Sequence, residues 1–256
     1  MLSDPSFYAV GIPAVVLIGL SKGGLGGAMA LLGVPLMALV MSPVQAAAIL
    51  LPILIVMDMV GLWTWRHDND RKTLAIMLPG ALVGIAAGWA LAAYVTDTMI
   101  RLIVGLVALW FVVDYLVKQR MAARNGQAAG RQRVAAGSFW GALSGFTSFI
   151  AHAGGPPYQI YALPLHMPPR KFVGTSTRFF AVVNAVKVLP YFALGQFDAA
   201  NLKAAAVLMP VAPLATLAGA WLVRRMKPSV FYPFMYAMVM LAAIKLIWDG
   251  VAGISS

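Results

Sequence analysis

Several polar residues lie deep inside apolar segments of this sequence, where a charge is costly and usually serves a function. Lys187 lies within the apolar run from Phe172 to Leu194, and Asn184 and Tyr191 share its face at helical spacing. Asp58 lies in the middle of another apolar run. An ammonium group in a protected site can hold an anion through charge-assisted hydrogen bonds. These residues therefore indicate an anion-binding site, with Lys187 as the first candidate for the direct contact.

Lys187 and Asp58 also have other interpretations, which the sequence leaves open. A structural ion pair between them would neutralise both charges, and it explains Lys187 as well as anion binding does. Asp58 is interpreted as a proton-coupling acid, as the partner of Lys187, or as an acid facing a water-filled cavity. Arg178 lies nearer the inner end of its apolar run, and we expect its guanidinium to extend towards the membrane surface.

Glycine clusters interrupt two apolar segments, which read SKGGLGG from Ser21 and AHAGGPP from Ala151. Small residues let membrane helices pack closely, and this is the simpler explanation of an isolated glycine pair. Four glycines within five residues, matched by a second pair in the other segment, instead favour unwound tips. Helix ends at such tips offer free N–H groups and a partial positive charge, which suit an anion.

Further donors lie near these breaks. His152 lies just before the second glycine pair. Gln159, Thr175 and Ser176 supply amide or hydroxyl groups, although polar side chains that only bridge helices would give the same pattern. Asp58 is the candidate coupling residue. The candidate substrate-binding residues are Lys22, Gly23, Gly24, Gly26, Gly27, His152, Gly154, Gly155, Gln159, Thr175, Ser176, Asn184 and Lys187.

Composition limits the class of protein. Hydrophobic residues make up 61% of the chain, charged residues 11%, and the mean hydropathy is +0.84, whereas soluble domains have about a quarter charged residues. The net charge of +11 does not indicate a nucleic-acid partner, because the basic residues lie in short segments between apolar runs. The chain has no cysteine, no glutamate and no G-x-S-x-G sequence, and its three histidines do not cluster. We therefore expect no enzyme, no metal site and no cofactor.

Apolar runs that approach or exceed the length needed to cross a bilayer, about 20 residues, recur from end to end. They extend from Ala46 to Trp65, Leu74 to Val95, Ile100 to Val117, Phe172 to Leu194, Leu202 to Val223 and Phe231 to Trp248. The runs predict an all-α polytopic membrane protein surrounded by lipid.

An internal repeat relates the two halves of the sequence. The same features recur in order at a nearly constant offset: a glycine pair, a proline, a Met-x-Pro triplet, a polar residue within the next span (Asp58 or Asn184), and a proline followed by a glycine. We therefore divide the chain into a first transmembrane repeat at residues 1–117, a basic cytoplasmic linker at 118–133 and a second transmembrane repeat at 134–256.

The distribution of basic residues predicts that the two repeats are inverted. The basic residues form four clusters, at 66–72, 118–133, 170–171 and 224–227, and one topology places all four on the inner face. In it, each repeat has three spans and one segment that enters and leaves on the same side. Those segments are 7–40 and 134–165, each expected to form a broken hairpin that is re-entrant or made of two short helices. Both termini are then periplasmic, and the paired breaks are typical of a transporter's binding site.

The most specific pattern lies in the second half. It consists of Gly-Thr-Ser from Gly174, Asn184 with Lys187, Leu-Pro-Tyr-Phe from Leu189 and Leu-Gly-Gln-Phe from Leu194. With the two glycine breaks, the pattern resembles the sulfite exporter TauE/SafE family over essentially the whole chain. The resemblance implies a bacterial inner-membrane carrier of sulfite, sulfonates or related sulfur compounds, with some relatives taking such compounds up. It also implies that the glycine tips and the Asn-Lys helix surround the substrate.

The expected function is therefore a secondary transporter that exports a small sulfur-containing anion across the cell inner membrane with proton coupling. An anion channel, or an uptake permease for a different small anion, stays open because either would share a basic, glycine-lined path. A membrane-embedded enzyme is disfavoured because the catalytic groups named above are missing. A homodimer is compatible with the sequence.

The predicted topology can be tested by cysteine labelling, since the chain has no cysteine of its own. A single cysteine placed near Asp97 should react with an impermeant thiol reagent added from the periplasm. A cysteine in the 118–133 linker should react only after the membrane is permeabilised. Labelling of the linker from the periplasm would contradict the inverted arrangement.

Overall fold

The computed structural model describes residues 4–91, 94, 97–122, 131–195 and 197–254, in which all regular structure is helical. The helices are α1 (Pro5–Leu20), a π-helical turn (Ser21–Leu25), α2 (Gly27–Ala30), α3 (Gly33–Met37), α4 (Pro43–Thr64), α5 (Arg71–Leu91), α6 (Asp97–Ala122), α7 (Val134–Ala151), α8 (Gly155–Ala162), a 3-10 turn (Leu163–Leu165), α9 (Pro169–Ala193), α10 (Ala199–Leu208), α11 (Val211–Arg225) and α12 (Pro228–Ile254). The predicted all-α fold is confirmed. Residues 123–130 of the predicted linker lie outside the described part.

Local sequence signals explain where several helices begin. The Asp4 carboxylate accepts a hydrogen bond from the Ser6 amide (2.9 Å) ahead of α1, and the Ser42 hydroxyl accepts one from the Gln45 amide (3.2 Å) ahead of α4. Both helices have proline in their first turn, where the missing N–H is not needed. Asp198 caps α10 in the same way as Asp4 caps α1.

Five stretches of the described residues are long and apolar enough to cross a membrane by themselves: Pro5–Leu25, Val44–Thr64, Arg71–Leu91, Pro169–Ala193 and Pro228–Gly253. Helices α10 and α11 make a sixth if they form one span bent by 46°. The predicted continuous run from Leu202 to Val223 is therefore corrected to a broken one. Pro210 lies at the break, where a residue without an N–H cannot continue the hydrogen-bond ladder. Helix α6 contains the predicted run from Ile100 to Val117.

The chain forms two compact units, and each unit draws segments from both halves of the sequence. The first unit contains Met1–Asp70 and Pro169–Lys227, and the second contains Arg71–Pro168 and Pro228–Ser256. In the first unit, α1 and the π-helical turn pack on α11, and α4 packs on α9. In the second unit, α7 packs on α5, and α6 packs on α12.

These pairings have a simple relation to the predicted repeat, in which α1 corresponds to α7, α4 to α9, α5 to α11 and α6 to α12. Exchanging the halves converts the α1–α11 pairing into the α7–α5 pairing, and it leaves the α4–α9 and α6–α12 pairings unchanged. A two-fold related repeat predicts this property. The inversion of the repeats and the residue bounds of the halves stay predictions.

Small residues set the distance between α5 and α7 in the second unit. A Cβ atom added to Gly80 would overlap the Ser138 carbonyl oxygen, and one added to Gly84 would overlap that of Ala142. On α7, Gly141 packs in the same way on the Met77 carbonyl. The interpretation of the Gly80, Gly84 and Gly88 row as a packing surface is confirmed.

Replacing Gly84 with alanine should force α5 and α7 apart and lower the free energy of unfolding by about 1–3 kcal/mol. The melting temperature of the purified protein in detergent measures the effect. Gly11→Ala is the matched control, because the nearest atoms to its new methyl group all belong to the side chain of Leu208, the closest being a terminal methyl at 3.0 Å, and none belongs to backbone. Equal losses in the two variants would contradict backbone contact as the reason for Gly84.

Candidate functional site

The first hairpin breaks at the predicted glycines, within the first unit. Helix α1 ends at Leu20, and the π-helical turn contains Gly24 with φ of 133°, followed by Gly26 with φ of 91°. Residues with a Cβ atom rarely adopt these angles. The Ser21 hydroxyl donates a hydrogen bond to the Gly26 carbonyl (2.5 Å) and so holds the reversed chain. The break is therefore a fixed turn in the backbone.

Gly23 has a different role from Gly24 and Gly26. A Cβ atom on Gly23 would overlap the backbone of α11, including the Thr216 carbonyl oxygen and the Cα atom of Gly219. The packing explanation therefore applies to Gly23, and the unwound-tip explanation applies to the other two. Gly27 is the first residue of α2.

The turn places Lys22 on a buried carboxylate. The Lys22 Nζ atom lies 2.6 Å from Oδ1 of Asp58, and the Asn184 side-chain amide donates a hydrogen bond to Oδ2 of the same carboxylate (2.6 Å). Asp58 is 3% exposed and Asn184 4% exposed. The Lys22 ammonium also lies 5.5 Å from the centre of the Phe180 ring, which suits a cation–π contact. The π-helical turn and α9 thus both contact the carboxylate that α4 carries.

Lys187 lies next to this group on α9, three residues after Asn184. Its side chain is buried, with 1% exposure, and it interacts electrostatically with both Lys22 and Asp58. The Lys22 ammonium pairs with Asp58, and the ion pair that we considered between Lys187 and Asp58 stays a prediction beside it. We call Lys22, Asp58, Asn184 and Lys187 the charged cluster.

The charged cluster contains two ammonium groups and one carboxylate. Both carboxylate oxygens are bonded, so the negative charge is well compensated. With all three groups ionised, one positive charge remains in excess at a buried position. A buried charge is costly unless a counter-charge is near, and a bound anion would supply it.

The second break lies in the second unit and is built differently. His152 ends α7 in the left-handed conformation, with φ of 52°. Hydroxyl groups of α7 then lie against the carbonyls of the turn: Ser144 donates to Gly154 (2.7 Å), and the Thr147 hydroxyl lies within reach of both the Ala153 carbonyl (3.2 Å) and the Leu143 carbonyl of its own helix (2.8 Å). Sequence reasoning missed both hydroxyls, whose only signal is their place one and two turns before the break.

The N-terminus of α8 offers fewer donors than we expected. The helix begins at Gly155, but the next two residues are Pro156 and Pro157, which have no N–H group. Gln159 is buried with 4% exposure, and its side-chain oxygen has no hydrogen-bond partner among the described residues. His152 is half-buried. Their predicted roles in substrate binding stay predictions.

Thr175 was a candidate donor to substrate, and the structure gives it a different task. Its hydroxyl donates to the Lys171 carbonyl (2.6 Å) and accepts from the Asp70 amide (2.8 Å). Because a hydroxyl has one hydrogen, none is left for a substrate. Gly174 lies against the Asp68 backbone with no room for a Cβ atom. Ser176 is half-buried on the same helix.

Like Thr175 and Gly174, Arg178 on α9 contacts the backbone of the loop at 65–70. Its guanidinium donates to the carbonyls of Trp65 and Asp68 (3.0 Å each) and of Arg66 (2.7 Å). Arg178 is therefore a backbone clamp on this loop, and its expected extension towards the membrane surface stays a prediction. We call Gly174, Thr175 and Arg178 the loop clamp.

In the described part of the chain, no three His or Asp side chains lie close enough together to hold a metal ion. In the first unit, charged side chains instead form ion pairs, such as Lys22 with Asp58, or donate hydrogen bonds to backbone carbonyls, as Arg178 does. The chemistry available at the charged cluster is the reversible binding of a charged ligand, with Asp58 as a group that can accept a proton.

The sequence model of the family described as sulfite exporter TauE/SafE matches residues 11–246. The chain belongs to the TauE/SafE family. No protein of curated function and no solved structure matches the chain. The TauE/SafE match includes both hairpin breaks and the whole charged cluster, and it agrees with the apolar helices in showing a multi-pass membrane protein. Gly174 and Thr175, from the Gly-Thr-Ser part of the pattern that suggested the family, belong in this structure to the loop clamp and not to the charged cluster.

Replacing Arg178 with alanine should remove all of its hydrogen bonds to the loop and lower the free energy of unfolding by at least about 2 kcal/mol. The melting temperature in detergent measures the loss. Arg225→Ala is the control, because Arg225 stacks on Trp221 (3.6 Å from the ring centre) and ends a helix of the same unit. A loss for Arg178→Ala no larger than that of the control would contradict the clamp.

Proposed function

We propose that this chain is a secondary transporter that exports a small sulfur-containing anion, such as sulfite or a sulfonate, across the bacterial inner membrane with proton coupling. The observation that supports this function is the charged cluster, which gathers two lysines and one carboxylate at a buried position beside a hairpin break. Family membership supports the substrate class.

Lys187 and Lys22 are the proposed cationic contacts, and Asn184 is the proposed neutral donor. An oxyanion loses strong hydration when it enters a protected site, so fixed donors must replace the lost water. Two ammonium groups and an amide, held by the π-helical turn and α9, meet that need. Glycine at 24 and 26 allows the turn that brings Lys22 to this position.

Asp58 is the proposed coupling residue, since it is the carboxylate of the charged cluster and an acid at such a position usually serves function. The second break, with His152, Gly154, Gly155 and Gln159, is a separate proposed contact of the substrate in the second unit. It is supported by the predicted repeat and by the side-chain oxygen of Gln159, which has no hydrogen-bond partner in the described part of the chain.

The test is a panel of sulfite, thiosulfate, methanesulfonate and sulfate with the purified protein in proteoliposomes. At least one sulfur anion should show saturable flux and counterflow, in which an unlabelled pool on one side drives labelled substrate inward from the other. Flux without saturation or counterflow would instead identify an anion channel. Absence of flux for all four anions would overturn the proposal.

Lys187→Met should weaken binding of the transported anion by at least about tenfold, because a close charge contact contributes that much or more. The protein should stay folded, since Asp58 keeps its bonds to Lys22 and Asn184. Lys203→Met is the matched control, because Lys203 is exposed on α10 of the same unit. Titration calorimetry measures affinity, and thermal melting checks the fold. Unchanged affinity in Lys187→Met would remove Lys187 from the site.

A further inference from the structure

The Asp58 carboxylate occupies donors that a substrate anion would need. One oxygen takes the Lys22 ammonium and the other takes the Asn184 amide, each at 2.6 Å. A carboxylate and a sulfur oxyanion both present anionic oxygens on a single atom, so they use the same kind of donors. In this structure, then, an internal anion is bound where an external one would bind.

Resting on the proposed function, we infer that Asp58 is a built-in competitor that the substrate anion replaces on Lys22 and Asn184. The replacement leaves Asp58 without its partners in a buried place, where an ionised carboxylate is strongly disfavoured. A proton taken up by Asp58 removes that cost, and it also removes the repulsion between Asp58 and the incoming anion. No bond other than O–H is formed or broken.

Lys22, from the π-helical turn, and Lys187, from α9, are the cations that face Asp58 in the described residues. The other basic groups on elements packed against α4 are engaged elsewhere or exposed. Arg178 and Arg224 donate to carbonyls at or after the end of α4, Lys171 pairs with Asp70, Arg225 stacks on Trp221, and Arg170 and Lys203 are exposed. Protonation of Asp58 therefore acts on Lys22 and Lys187 first.

The sign of the coupling follows from this competition. Because the ionised form of Asp58 competes with the anion, a proton on Asp58 strengthens anion binding, and a bound anion strengthens proton binding by the same factor. Anion and proton therefore occupy the site together and cross the membrane in the same direction. An outward gradient of the anion drives protons outward with it.

The experiment measures anion affinity from mildly acidic to mildly alkaline pH by titration calorimetry. The probes are methanesulfonate and thiosulfate, whose own charge does not change over this range. Wild-type affinity should fall as the pH rises. Asp58→Asn should bind at least about tenfold more tightly than wild type at alkaline pH, since a close like charge has been removed, and its affinity should not vary with pH.

Asp249→Asn is the matched control. Asp249 is a carboxylate on α12 that pairs with Arg101 (3.2 Å) and Lys245, in the second unit. This variant should keep the affinity and the pH dependence of wild type. The double variant Asp58→Asn with Lys22→Gln removes both members of the ion pair, and it should lose the tighter binding of the single variant.

The outcomes separate the inference from the proposed function. Wild type that binds neither probe and transports none of the four anions of the panel would overturn the proposed function and the inference with it. Wild type that binds a probe, with Asp58→Asn no tighter at alkaline pH, would overturn the inference alone. If Asp58→Asn fails to fold, proteoliposomes with wild type decide: efflux of methanesulfonate should make the interior more alkaline, and efflux without that change would overturn co-movement of the proton.

Discussion

The first unit depends on the compensation of one buried carboxylate. Asp58 lies within a helix that the apolar sequence makes into a membrane span, and a lone carboxylate there would destabilise the fold by several kcal/mol. Its two partners come from distant parts of the chain, Lys22 from the hairpin break and Asn184 from α9. The break, α4 and α9 are therefore held together by charge as well as by apolar packing.

Helix α9 performs two tasks that lie at different positions along its length. Its first turns hold the 65–70 loop through the loop clamp, and its later turns present Asn184 and Lys187 to the charged cluster. The loop clamp binds backbone carbonyls, so it fixes the end of α4 whatever side chains the loop has. Because α4 is held at its end by the clamp and in its middle by Asn184, Asp58 has little freedom to move along α9.

The apolar runs and the glycine breaks could be predicted because they depend on local sequence: hydropathy determines which segments enter a bilayer, and glycine allows a positive φ. The partner of Asp58 could not. Lys22 reaches Asp58 only because the turn at Gly24 and Gly26 takes a particular path, and no local pattern specifies that path. Thr175 shows the same limit, since a hydroxyl that binds backbone and one that binds substrate look alike in sequence.

The excess positive charge is the feature that structural stability alone does not explain. Lys22 and Asn184 both bind the Asp58 carboxylate, and Lys187 is a second buried lysine beside that single carboxylate. An apolar residue of similar volume in its place would avoid that desolvation cost. Natural sequences depart from the most stable choice mainly at functional sites. On the proposed function, the second lysine has a reason that stability does not give it, because a ligand that arrives with its own negative charge balances two lysines and one carboxylate.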